Sequence, residues 1–157
     1  MEIGILHRNN IKYIGPVELL IAFFSTIWAN LEVNGWGTRY PIIMNKLYQG
    51  ELRSDDAEGA LIELDQIRHQ LSMAPPSQIV WDPDDVKKFA PKGTSVSYAA
   101  PNITEAFLTP TNRKLFDTIK VALEELRDHG GAARIIKIPT EFAVTIDGAN
   151  EPDPQGG

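Results

Sequence analysis

The residues best placed to do chemistry in this chain are carboxylates. The stretch SQIVWDPDDVKKFAPKG, residues 77–93, ends an apolar run on Trp81 and drops Asp82, Asp84 and Asp85 directly behind it. A second group, Asp55, Asp56 and Glu58, heads the stretch SDDAEGALIELDQIRHQLSM, residues 54–73. Clusters of this kind suit three tasks: holding a metal, activating a water in a hydrolytic site, or meeting a basic protein.

The first two tasks find little support in the spacing. A calcium loop of the EF-hand type needs oxygen ligands at positions 1, 3 and 5, glycine at 6 and glutamate at 12. Counted from Asp82, the fifth residue is Val86, the sixth Lys87 and the twelfth Gly93, so the pattern fails. His7, His69 and His129 lie far apart and form no metal-binding pair. PDDVKK holds a Pro-Asp and an Asp-x-Lys, pieces of a Mg²⁺-dependent nuclease signature. Those pieces must come from separate strands for their carboxylates to converge on the metal, and here they overlap. In GWGTRY, residues 35–40, Tyr40 occupies the third glycine position of a G-x-G-x-x-G loop and no strand precedes it. The residues therefore assign no catalytic group, no cofactor and no metal. A hydrolase working through Asp82, Asp84 and Asp85 on a metal is the last-ranked alternative.

The third task fits the charge. With 15 Lys and Arg against 21 Asp and Glu, the formal net charge is -6, which repels nucleic acid and anionic membranes and draws a basic protein. The candidate contacts are Asp82, Asp84, Asp85, Asp55, Asp56, Glu58 and Trp36. Each has a plainer use. Acids at 55–58 suit the positive end of a helix dipole, and an aspartate before Pro83 favours a turn. Trp36, in a glycine-rich loop, serves equally as a lid over the core or as a contact, whereas Trp28 and Trp81 read as core.

The elements that must position these residues follow from periodicity. EIGIL, residues 2–6, reads as a strand closed by the turn HRNN. A helix starts at Pro16 and runs to about Glu32, and its breaks at Glu18, Ser25, Thr26 and Asn30 make it a buried helix rather than a membrane span. Pro41 opens a short helix through Tyr48, with Gly50 as its cap. Ala57, Ala60, Leu61, Leu64, Ile67 and Leu71 form one helical stripe behind Ser54 as N-cap, and Pro75 ends it. SQIVW and TSVSYA (94–99) read as strands, ITEAFLTP as strand or turn, and 112–131 as an amphipathic helix stopped by Gly130-Gly131. ARIIKIP and FAVTI give closing strands.

These elements mix without βαβ alternation, so the expected class is α+β: one layer of mixed or antiparallel sheet with three to four helices packed on it. At 157 residues and 43% apolar content the chain suits one domain, residues 1–148, followed by a flexible tail, 149–157. The chain has no cysteine, and its start lacks a basic n-region, which together point to the cytoplasm.

At the level of motifs the sequence resembles immunity protein family 70 of bacterial polymorphic toxin systems. That family pairs a W-G-x-R-x-P-x-x-M-N-x-L-Y-x-G-x-L block with an A-L-x-E-L-x-x-I-R-x-x-L helix and a V/I-W-D strand end. Here these are Trp36 to Leu52, Ala60 to Leu71, and Val80, Trp81 and Asp82. The family's P-W-G turn reads Pro91-Lys92-Gly93 in this chain. The resemblance implies a protein that binds the toxic C-terminal domain of a cognate contact-dependent growth inhibition or related toxin and covers its active site. If that toxin is a nuclease, the aspartates stand in for phosphates in a basic cleft. A general interaction adaptor is the runner-up.

Overall fold

The chain opens with a β-hairpin: β1 (Glu2–His7) and β2 (Asn10–Pro16) pair antiparallel, and Arg8 takes φ 57 in the turn between them. Residues 1–138 are described by the computed structural model, so the FAVTI strand and the 149–157 tail lie outside the described residues. The other edge of β1 pairs with β4 (Ala132–Ile138), and β4 pairs with the short β3 (Glu51–Arg53). The sheet order is β2-β1-β4-β3, antiparallel throughout.

Strand alternation sends Ile3, Ile5, Ile14, Leu52 and Ala133 into the main core. Tyr13 and Ile138 form a small separate cluster with Ile11 and Ile136. Gly4 lies on that second face, where an added Cβ would sit 2.8 Å from Ile138 Cδ1 and 2.8 Å from the Lys12 carbonyl.

Four α-helices complete the fold: α1 (Val17–Leu31), α2 (Ala57–Leu71), α3 (Ile103–Ala106) and α4 (Leu115–His129). The architecture is α+β with a single sheet, as expected from the mixed pattern. α1 is the central helix, buried from Leu19 to Leu31 on most of its circumference. Phe23 makes edge-on ring contacts with Phe24, Phe107 and Phe116 at 5.4, 6.1 and 5.3 Å, tying α1 to α3 and α4. The stripes read for α2 and α4 face inward, with only Leu61 of the α2 set partly exposed.

Several local expectations change. Pro16 sits at the N-cap of α1 rather than inside it, because β2 runs straight into the helix without a loop. The segment after Pro41 closes as a π-helical turn, Ile42–Leu47, and Gly50 (φ 101) donates its N–H to the Leu47 carbonyl at 2.9 Å. Ser54 is no N-cap: Ser54–Asp56 forms a 3-10 turn ahead of α2.

SQIVW is not a strand. Pro76–Gln78 makes a 3-10 turn, and Val80 finds its polar partner on a helix: its N–H donates to Thr26 Oγ1 at 2.9 Å, and that hydroxyl donates to the Val80 carbonyl at 3.3 Å. A threonine hydroxyl thus replaces a neighbouring strand. TSVSYA is irregular as well. Val96 is buried while Tyr98 is 47% exposed, and the Ser97 N–H donates to the Ala106 carbonyl at 2.9 Å. ITEA is helical because Asn102 Oδ1 accepts the Glu105 N–H at 2.9 Å.

Candidate partner-binding site

Three regions hold the candidate residues, and each is built differently. The loop 82–93 leaves the body at Trp81, whose indole is buried and donates to the Tyr98 hydroxyl at 2.7 Å. From there the loop bonds to itself. Asp82 Oδ1 accepts the Asp84 N–H at 2.8 Å, and the Asp82 carbonyl accepts the Asp85 N–H at 3.1 Å. Asp85 in turn accepts from the Lys87 N–H through its side chain (3.3 Å) and from the Lys88 N–H through its carbonyl (3.0 Å). Lys88 Nζ reaches back to Asp82 Oδ2 at 3.9 Å. The aspartates are first of all turn-makers.

Asp84 and Asp85 are exposed and, among the described residues, have no ion-pair partner. Lys87, Lys88 and Lys92 offset Asp82, Asp84 and Asp85 within the same loop, so it carries no net acid. Sequence reasoning passed over its most unusual members: Phe89 is 90% exposed and Val86 52% exposed. Burying a phenylalanine is worth about 1.5–3 kcal/mol. That gain is forgone here, while the neighbouring Ala90 packs against the core.

The second group, at the head of α2, is already engaged. Asp56 Oδ2 lies 2.7 Å from Lys46 Nζ, and Glu58 Oε1 lies 3.8 Å from Arg127 NH1. Exposed pairs of this kind contribute about 0–1 kcal/mol. Asp55 is exposed and unpaired among the described residues. No hydrogen bond or ion pair among the described residues joins this group to the loop 82–93.

The third region, residues 32–48, carries Trp36. Its backbone is held by two carboxylates. Glu32, only 4% exposed, accepts the N–H groups of Gly37 (2.5 Å), Arg39 (3.0 Å) and Tyr40 (3.0 Å). Glu63, reaching from α2, accepts those of Ile42 (3.2 Å) and Ile43 (2.8 Å) at the start of the π-helical turn. Burial pushes the Glu63 carboxyl above the usual glutamate value, the two N–H donors oppose that shift, and nearby Glu32 adds to it.

Trp36 is half-buried: its indole N–H donates to the Met44 carbonyl at 2.8 Å, and its ring meets Trp28 at 6.4 Å and Tyr48 at 4.9 Å. Phe24 and Trp28 carry this aromatic ridge one helical turn apart on α1. Thr26, which holds Val80, lies about 200° round the helix from each, at about 100° per residue. The ridge and the root of the loop 82–93 therefore occupy opposite sides of α1.

No group of three or more potential metal ligands gathers among the described residues. No helix among them is long and apolar enough to cross a membrane. A family model, that of immunity protein 70, matches residues 6–135. The chain belongs to the immunity protein 70 family. No curated protein and no solved structure matches it.

Family membership makes this an immunity protein for a toxin, in a family whose members generally do not act as enzymes. The block through which the chain resembles the immunity protein 70 family holds mostly structural residues. Gly37 (φ 77) disfavours a side chain both by its left-handed backbone and by the Asn45 amide, 2.5 Å from where its Cβ would be; Tyr40, Ile43, Met44 and Leu47 are buried. Gly59 gives way in the same manner to Ile42 Cδ1, 2.5 Å from where its Cβ would be.

Proposed function

We propose that this immunity protein binds the toxic C-terminal domain of its cognate polymorphic or contact-dependent growth inhibition toxin in the cytoplasm and neutralises it by covering the active site. It acts by occupancy and turns over no substrate. The observation that carries this reading is the family match across residues 6–135. Asp55, Asp84 and Asp85, exposed and without an ion-pair partner among the described residues, supply carboxylates for a basic partner. A nuclease toxin gathers cations to hold phosphate, and carboxylates can take the place of that phosphate while excluding the nucleic acid.

The test is co-expression with the C-terminal domain of a candidate cognate toxin. The expected result is rescue of growth and co-purification as a stable complex. Growth arrest despite full expression of both proteins, with no complex, would refute the reading.

A further inference from the structure

We propose that Phe89 is the anchor of the toxin contact, inserting into an apolar pocket of the toxin domain while the charges on either side of it set the orientation. This rests on the immunity reading above and names the surface that carries it. Three independent observations lead here.

Phe89 is the most exposed aromatic side chain among the described residues, and Val86 adds a second exposed apolar group to the same loop. Among the described residues, the hydrogen bonds and ion pairs of residues 83–93 close within 82–94, so the side chain is presented on a pre-shaped loop. A partner then has little chain entropy to remove on docking, which favours affinity. The charges along the loop are sorted: Asp82, Asp84 and Asp85 precede Val86, and Lys87, Lys88 and Lys92 surround Phe89.

The complementary surface follows from that order. It has a pocket wide enough for a phenyl ring, a basic patch on the side met by Asp84 and Asp85, and carboxylates or carbonyl oxygens around the pocket mouth to receive the lysines. Lys88 is paired with Asp82, so Asp84 and Asp85 ahead of Phe89 and Lys92 after it are the charges that favour one docking orientation over its reverse. The aromatic ridge at Trp36 offers less. Its one indole N–H is spent on Met44 and its rings are packed against Trp28 and Tyr48.

The experiment measures binding of the full-length chain to the toxin domain that it neutralises in the co-expression test, by calorimetry, for wild type, Phe89→Ala, Phe89→Trp and Tyr48→Ala. Phe89→Ala is expected to weaken binding at least about 30-fold, as central aromatic anchors do. Its unfolding temperature should stay unchanged. Phe89→Trp should restore much of the affinity, and Tyr48→Ala should leave it nearly intact. Wild-type binding with Phe89→Ala within about twofold of it would overturn the anchor while leaving the immunity reading standing. Absence of wild-type binding would overturn both.

Discussion

Residues 32–48 and residues 82–93 are both glycine- and proline-punctuated connections that carry an aromatic residue, yet the protein treats them oppositely. The first is anchored to the body: Glu32 and Glu63 take five of its backbone N–H groups, and Trp36 is stacked and hydrogen-bonded. The second satisfies its own polar groups and leaves Phe89 in water. Stability is concentrated in one connection, and unspent binding capacity in the other. Altering the first should damage folding, and altering the exposed side chains of the second should damage recognition with little loss of stability.

The largest effect that would break this contrast belongs to Glu32. Glu32→Ala leaves three N–H donors without their acceptor and should cost about 3 kcal/mol in urea unfolding. An unchanged midpoint would mean that the carboxylate does not hold the segment.

Two glycines sharpen the comparison, because Gly37 and Gly93 have the same φ of 77. Alanine at Gly93 meets nothing within 4 Å, so only the left-handed backbone is penalised, at about 1 kcal/mol. Alanine at Gly37 also collides with Asn45 and should cost about 1–2 kcal/mol more. Equal losses would place the two glycines in equivalent surroundings and contradict the distinction drawn between their segments.

Charge reversal of Asp84 and Asp85 to lysine should cost no more than about 1 kcal/mol of stability, the long bond from the Lys87 N–H to Asp85 being what is lost. It should slow association with the toxin domain several-fold at low salt, an effect that fades as salt is added. The lysines already in the loop keep this effect modest. Association rates indifferent to the reversal at low salt would move the contact away from these carboxylates.

The smallest effect is a pH slope. Because burial raises the Glu63 carboxyl above its ordinary 4.5, the folded state holds that proton more tightly than the unfolded chain. Its contribution is fully present below the unfolded value and is lost as pH rises through the higher folded value. Stability attributable to this group should thus decline as pH climbs above about 4.5, and Glu63→Gln should flatten the decline. A steeper slope in the variant would contradict the assignment.

How legible all this was depended on whether periodicity or long-range contact decides the structure. α2 and α4 were readable because Ala57 through Leu71 and Leu115 through Leu126 repeat at helical spacing. β2 was missed because its residues run into Pro16 and the helix without a loop signal, and β3 because three residues show no alternation. Ile79 to Trp81 look like a buried strand in any apolar count, and only the Thr26 hydroxyl on a distant helix explains why they are not one. Among the candidate contacts, the exposure of Asp84 and Asp85 could be foreseen from their turn chemistry. Phe89 could not, since a single phenylalanine between Lys88 and Ala90 has no pattern to reveal which of two apolar neighbours turns inward. Nor could Glu32 and Glu63, whose burial depends on donors from backbone that folds over them.

The most direct measurement is the affinity of the wild-type chain and of Phe89→Ala for the cognate toxin domain, taken alongside their unfolding temperatures. The account predicts tight binding by the wild type and at least about 30-fold weaker binding by an equally stable variant. Equal affinity in the two proteins would contradict it.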